Sequence, residues 1–109
     1  MPYITITDFF EKAATCRRLT RQEERECAAA FAAGDLTARV RLIESYLPFI
    51  AGHIRMCKPH MQTITLLYTY LSALEKAVDS FNFLQDRETF PHHLSRYLRQ
   101  ATTRYIVRR

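Results

Sequence analysis

Two glycines and four prolines are all that 109 residues contain, and this scarcity constrains the fold more tightly than any other feature. A sandwich or barrel of this length needs a turn about every 8 to 12 residues, and those turns draw on glycine and proline. The chain cannot supply them, so an all-α fold is expected. Apolar residues make up 48% of the sequence and charged residues 25%. That much apolar surface offsets the entropy of ordering the chain, which excludes disorder of the whole. The length fits one helical domain over residues 1–109, with residues 1–18 as a first helix and lead-in.

Capping residues divide the chain into helices. Thr7 or Asp8 can cap a short first helix running to about Cys16, with Phe9, Phe10, Ala13 and Ala14 as its packing residues. Thr20 and Glu23 form a capping box, which predicts a second helix from Arg21 to Ala33, stopped at Gly34. Asp35 caps a third helix to about Cys57, where Leu36, Val40, Ile43, Leu47, Ile50 and Ile54 recur at helical spacing and mark a buried stripe. Pro48 should kink it, because proline removes a hydrogen bond and crowds the carbonyl four residues earlier. A fourth helix, Thr63 to Phe81, carries Ile64, Leu67, Leu71, Leu74 and Val78 on one face and should be central. A polar connection from Asn82 to Glu88 leads to Pro91, which suits the first turn of a last helix ending near Val107. The expected architecture is a compact bundle of four to five helices.

Several function classes find no support in the residues. No apolar run approaches the roughly 20 residues that span a bilayer, and the start lacks the cationic and apolar regions of a secretory signal. Cys16, Cys27 and Cys57 are odd in number and widely spaced, which suits a reducing cytoplasm. Cys57, His60 and nearby His53 have a possible zinc spacing but lack a fourth ligand, so neither a metal nor another cofactor is expected. Two glycines allow no phosphate-cradling loop, and no nucleophile and base or pair of carboxylates stands out. The chain does not read as an enzyme.

Charge gives a more specific signal. Residues 1–88 carry 11 basic and 11 acidic side chains, whereas residues 89–109 carry Arg96, Arg99, Arg104, Arg108 and Arg109 and no acid. A localised field of one sign attracts polyanions through counterion release. On a helical wheel with Leu94 at zero, Leu98, Ala101 and Tyr105 lie within about 40° and form a buried stripe. Arg99, Thr103, Arg96 and Gln100 fall between about 140° and 240°, on the opposite side. Arginine can meet phosphate or guanine, glutamine can pair with a base edge, and Tyr97 offers a ring for stacking. The same pattern also describes a solvated basic face, and composition does not choose between the two.

The order of segments carries a resemblance. Leu19-Thr20-Arg21-Gln22-Glu23-Glu24, then Ala33-Gly34-Asp35-Leu36-Thr37-Ala38-Arg39, then Leu42-Ile43-Glu44-Ser45-Tyr46-Leu47 resembles the start of conserved domain two of bacterial RNA polymerase sigma factors. Leu74-Glu75-Lys76-Ala77-Val78-Asp79-Ser80-Phe81 is similar to that family's LMKAVDKF segment. Phe90 followed by Tyr97-Leu98-Arg99-Gln100-Ala101-Thr102-Thr103-Arg104-Tyr105-Ile106 is similar to its F…WIRQAITRAI helix. The resemblance covers residues 19–107.

It implies a cytoplasmic transcription-initiation protein that binds polymerase core and the minus-ten element of promoter DNA. Gln100 and Thr103 fall on base-reading positions, Arg99 and Arg104 on backbone-contacting ones, and Tyr97 on the second of two strand-separating tryptophans. Arg96 stands in place of the first tryptophan, and His93 in place of an upstream tyrosine. The family's acidic clamp-binding DLIQEGNIG is replaced by Thr65-Leu66-Leu67-Tyr68-Thr69-Tyr70-Leu71-Ser72-Ala73, which leaves Leu67, Tyr68 and Leu71 as candidate polymerase contacts. With no room for a domain that reads the minus-thirty-five element, the chain is expected to be a fragment or one part of a split sigma factor. Its further partners would be an anti-sigma factor or a separate promoter-reading domain. The alternative is a helical interaction module of sigma-like fold that sequesters a regulator or self-associates.

Overall fold

The computed structural model describes residues 3–84 and 88–107. These residues form an all-α bundle: α1 (Ile6–Thr15), α2 (Arg21–Ala32), α3 (Leu36–Ser45), α4 (Leu47–Arg55), α5 (Ile64–Ser80) and α6 (Phe90–Val107), with one 3-10 turn at Pro59–Met61. Segments α3 and α4 occupy the span predicted as one kinked helix, so the bundle has five helices, the third of them broken.

Side-chain caps set most of the boundaries. The second capping box forms as expected: the Thr20 hydroxyl accepts from Glu23 N–H while the Glu23 carboxylate accepts from Thr20 N–H. With Arg17 also donating to it, the Glu23 carboxyl is held down at about 2. The first helix uses the same device with Thr5 as its cap, in place of the expected Thr7 or Asp8, and with Thr5 and Asp8 bonded reciprocally at 3.1 Å. Gly34 takes φ +103°, where a side chain would be strained, and Asp35 then accepts from Thr37 and Ala38 N–H. This tight joint folds α3 back on α2.

The break in the third helix is sharper than a kink. Pro48 has no N–H for the Glu44 carbonyl, α3 stops at Ser45, and Tyr46 (φ −104°, ψ 4°) joins it to α4. Ser45 is buried at the break, with its hydroxyl donating to Leu42 O at 2.7 Å. The break also corrects the predicted stripe. Ile43, Leu47, Ile50 and Ile54 are buried, but Leu36 and Val40 are 69% and 48% exposed. A stripe extended backwards from α4 lost its phase at Tyr46, and α3 instead turns Ala38 and Leu42 inward.

Helix α5 is central, as its apolar pattern requires. It buries Leu67, Leu71, Leu74 and Val78, and beside them Leu66, Tyr70, Ala73 and Ala77. It packs against α3, α4 and α6, while α1 packs on α4 through Phe9 and Ala13. One apolar core runs from Phe9 to Tyr105. Arg39 of α3 grips Asp79 of α5 with two bonds of 2.8 and 2.9 Å. The connection after α5 is less polar than expected, because Phe81 and Phe83 pack on Phe90 with centroids 5.3 and 5.0 Å away. Residues 85–87 of that connection and Arg108 and Arg109 lie outside the described residues. No described helix is long and apolar enough to cross a membrane.

Leu71→Asp is expected to unfold the domain. An unpaired buried carboxylate costs several kcal/mol, comparable to the roughly 5 to 15 kcal/mol by which domains are stable. Thermal unfolding followed by circular dichroism checks it, and an unchanged transition would refute the core assignment.

Candidate nucleic-acid interface

Helix α6 divides as the wheel requires. Phe90, Leu94, Leu98, Ala101 and Tyr105 are buried, and Arg96, Arg99, Gln100, Thr103 and Arg104 are exposed. The inner side is anchored to α5 at both ends and in the middle. The Tyr105 and Thr63 hydroxyls are 3.0 Å apart, Tyr70 and Thr102 2.6 Å, and Tyr97 and Ser80 2.8 Å. Burial holds the Tyr70 phenol up at about 12, so it stays neutral and hydrogen-bonded. The outer side is thereby held by a rigid scaffold.

The five exposed side chains are not equivalent. Arg96 is committed to Glu88, with its guanidinium nitrogens 2.7 and 3.1 Å from the two carboxylate oxygens. Glu88 stands one residue before the acid-free segment, so part of that segment's surplus is neutralised in space. Arg99 and Arg104 form no ion pair among the described residues, and Gln100 is free to hydrogen-bond outward. Thr103 donates to Arg99 O at 3.1 Å, which leaves its oxygen as an acceptor. Tyr97 is half-buried, its hydroxyl tied to Ser80 and its ring 5.0 Å from that of His93. Its ring lies at the edge of the face rather than standing free.

Of the candidate polymerase contacts, Leu67 and Leu71 belong to the core and cannot meet a partner in this fold. They sit on the side of α5 that packs inward. Tyr68 does reach the surface, 39% exposed, where its hydroxyl accepts from Tyr3 N–H and donates to Tyr3 O. Cys57 lies beside Tyr70, its thiol 3.7 Å from the phenol. No cluster of three metal-ligating His, Cys, Asp or Glu side chains occurs among the described residues.

A pocket of about 310 Å³ beside the start of α6 was not foreseen. The rings of Tyr46, Phe81, Phe83 and Phe90 line it together with Arg18, Arg21 and Arg25, and two acids, Glu24 and Glu88, share the lining. Arg18 lies over the Tyr46 ring at 4.7 Å. The Tyr46 hydroxyl donates to Glu24 and receives a bond from Arg18 at 3.4 Å. Burial, and then Glu24, pushes the Tyr46 phenol well above its usual range. Summing charge over residues 1–88 concealed these arginines, because acids elsewhere on the chain cancel them in the total. The spacing of Arg21 and Arg25, one helical turn apart, was the available signal.

Tyr46 and Phe90 are buried in this lining, so the half-buried Phe81 and Phe83 offer the ring surface for a planar group, with guanidinium groups nearby that can hold a phosphate. No protein-family model and no solved structure matches this chain.

Tyr46→Phe tests the bond network at the pocket floor. Removing the hydroxyl leaves Glu24 without its donor, and the expected loss is about 1 to 3 kcal/mol of stability. A chemical-denaturation midpoint equal to wild type would show that this network contributes nothing.

Proposed function

We propose that this protein is a sigma-like transcription-initiation protein that holds the unpaired strand of promoter DNA along α6 and acts together with polymerase core. The observation that carries the reading is one continuous arrangement. Two uncommitted arginines, an outward amide and an acceptor hydroxyl stand on one helix that begins at an arginine-edged aromatic pocket. Single strands are bound by this combination of cations that follow the backbone and rings that take unstacked bases. Arg99 and Arg104 would meet phosphates, Gln100 and Thr103 base edges, and the pocket an extruded base. The resemblance of residues 74–81 and 90–106 to sigma domain two supports the assignment to promoter DNA. With Leu67 and Leu71 in the core, polymerase would be met through the exposed hydroxyl side of α5 around Tyr68.

Binding to single-stranded DNA is expected to weaken with salt by a slope of about −0.7 in log affinity per phosphate contact. Replacing Arg99 and Arg104 by alanine should therefore flatten the slope by about 1.4. Fluorescence anisotropy across a salt series measures it, and an equal slope would place the phosphate contacts elsewhere.

Gln100→Ala separates base reading from charge attraction, because phosphate contacts carry no direct sequence information. Discrimination of a minus-ten sequence over a scrambled one should fall by about 1 to 3 kcal/mol while nonspecific affinity holds. The assay uses polymerase holoenzyme, with a promoter-reading domain supplied if needed. Equal discrimination by wild type and variant would defeat the base-reading role.

A further inference from the structure

A second surface lies between α5 and α6, on the flank of α6 next to the strand-binding face. It is an open groove of about 700 Å³. Ile64, the exposed ring of Tyr68 and the small hydroxyl side chains Thr69 and Ser72 line it, and its charged members are Lys76 and Arg104. No acid lines it. The two carboxylates of α5 closest to Lys76 are drawn to α3 instead: Asp79 is bonded to Arg39, and Glu75 raises the affinity of the same guanidinium for its proton. No acid occurs between residues 89 and 109. Neither Lys76 nor Arg104 forms an ion pair among the described residues.

The register of the two helices sets the spacing of these cations. They run antiparallel, with Tyr105 beside Thr63 and Tyr97 beside Ser80. Arg104 therefore stands beside the start of α5, near Thr65, and Lys76 stands about 11 residues further along, a rise of roughly 16 Å or three helical turns. Between them the groove offers the Tyr68 ring and the Thr69 and Ser72 hydroxyls but no cation. A nucleic-acid strand carries a charge at every nucleotide and would leave most of its phosphates unmatched here. A helix that lies in the groove, with an apolar side and a carboxylate near each end, matches both charges and buries that side on Ile64 and the exposed ring of Tyr68.

We propose that the α5–α6 groove is a docking site for an acidic amphipathic helix of a partner protein, with Lys76 and Arg104 as its two charge contacts. The site shares Arg104 with the strand-binding face and Tyr68 with the side of α5 proposed above to meet polymerase, so an acidic helix docked here would compete with polymerase for that side; it does not depend on the DNA reading.

The test is selection of helical peptides, displayed on phage with one face randomised, against the whole chain. The expected selection carries acidic residues about three turns apart flanking apolar ones. A selected peptide, synthesised and followed by fluorescence anisotropy, should lose about tenfold in affinity for Lys76→Glu and for Thr69→Trp, which fills the groove. Lys76 is exposed and Thr69 is half-buried on the groove wall, and circular dichroism of each variant should match wild type. Affinity of both variants for an oligothymidine strand should also be unchanged. Selected peptides without acidic bias, or peptide affinity insensitive to both variants, would overturn the proposal. Loss of oligothymidine binding with peptide binding intact would overturn it too, and would give the groove to the strand. Should Arg99→Ala leave strand binding untouched while peptides still dock, the DNA reading fails and the docking site stands.

Discussion

Burial of α5 on two adjacent stripes is the constraint on which the rest of the structure depends. Eight of its 17 residues are buried, at positions 66, 70, 73 and 77 and at positions 67, 71, 74 and 78. One partner helix covers only one stripe, so a helix apolar over this much of its circumference must be surrounded. Helices α3, α4 and α6 supply the cover, and each fully buried leucine contributes on the order of 2 to 3 kcal/mol relative to exposure. The break at Tyr46 belongs to the same solution. It lets the chain turn Leu42 inward from α3 and Ile50 and Ile54 inward from α4, so that two short segments wrap a surface that one straight helix would leave.

The polar ends of buried rings then fix how the helices sit on one another. Tyr70 and Tyr105 bury their rings in the core, and their hydroxyls meet Thr102 and Thr63 across the α5–α6 contact. A buried hydroxyl without a partner costs about 1 to 3 kcal/mol, so each pair favours one register over a slide by one turn. Tyr46 does the same between α2 and the start of α4 through Glu24 and Arg18. Apolar packing holds the helices together and the hydroxyl pairs set their alignment.

This alignment shapes the surfaces. With α6 locked along its inner side, its outer side presents Arg99, Gln100, Thr103 and Arg104 from a single rigid element. The same register puts Arg104 at one end of the neighbouring groove and Lys76 toward the other. The joint at Gly34 and the break at Tyr46 bring α2 to the start of α6, where Arg18, Arg21 and Arg25 close an aromatic pocket with rings as distant in sequence as Phe90, 72 positions from Arg18. Surface chemistry here follows from core geometry.

The sequence by itself determined the fold class, the capping box at Thr20 and Glu23, the stop at Gly34, the core role of α5 and the division of α6 into inner and outer faces. Each of these rests on interactions within one or two helical turns, where the spacing of residues along the chain is also their spacing in space. Only the tertiary structure decided that Leu36 and Val40 face outward, because the phase of α3 depends on how far the chain turns at Tyr46. It also decided that Arg96 is spoken for by Glu88, that Leu67 and Leu71 are core and Tyr68 is not, and that three arginines from a segment of zero net charge meet four rings. Those outcomes depend on pairs that are distant in the chain, and a one-dimensional pattern carries the period of each helix but not the rotation of one helix against another.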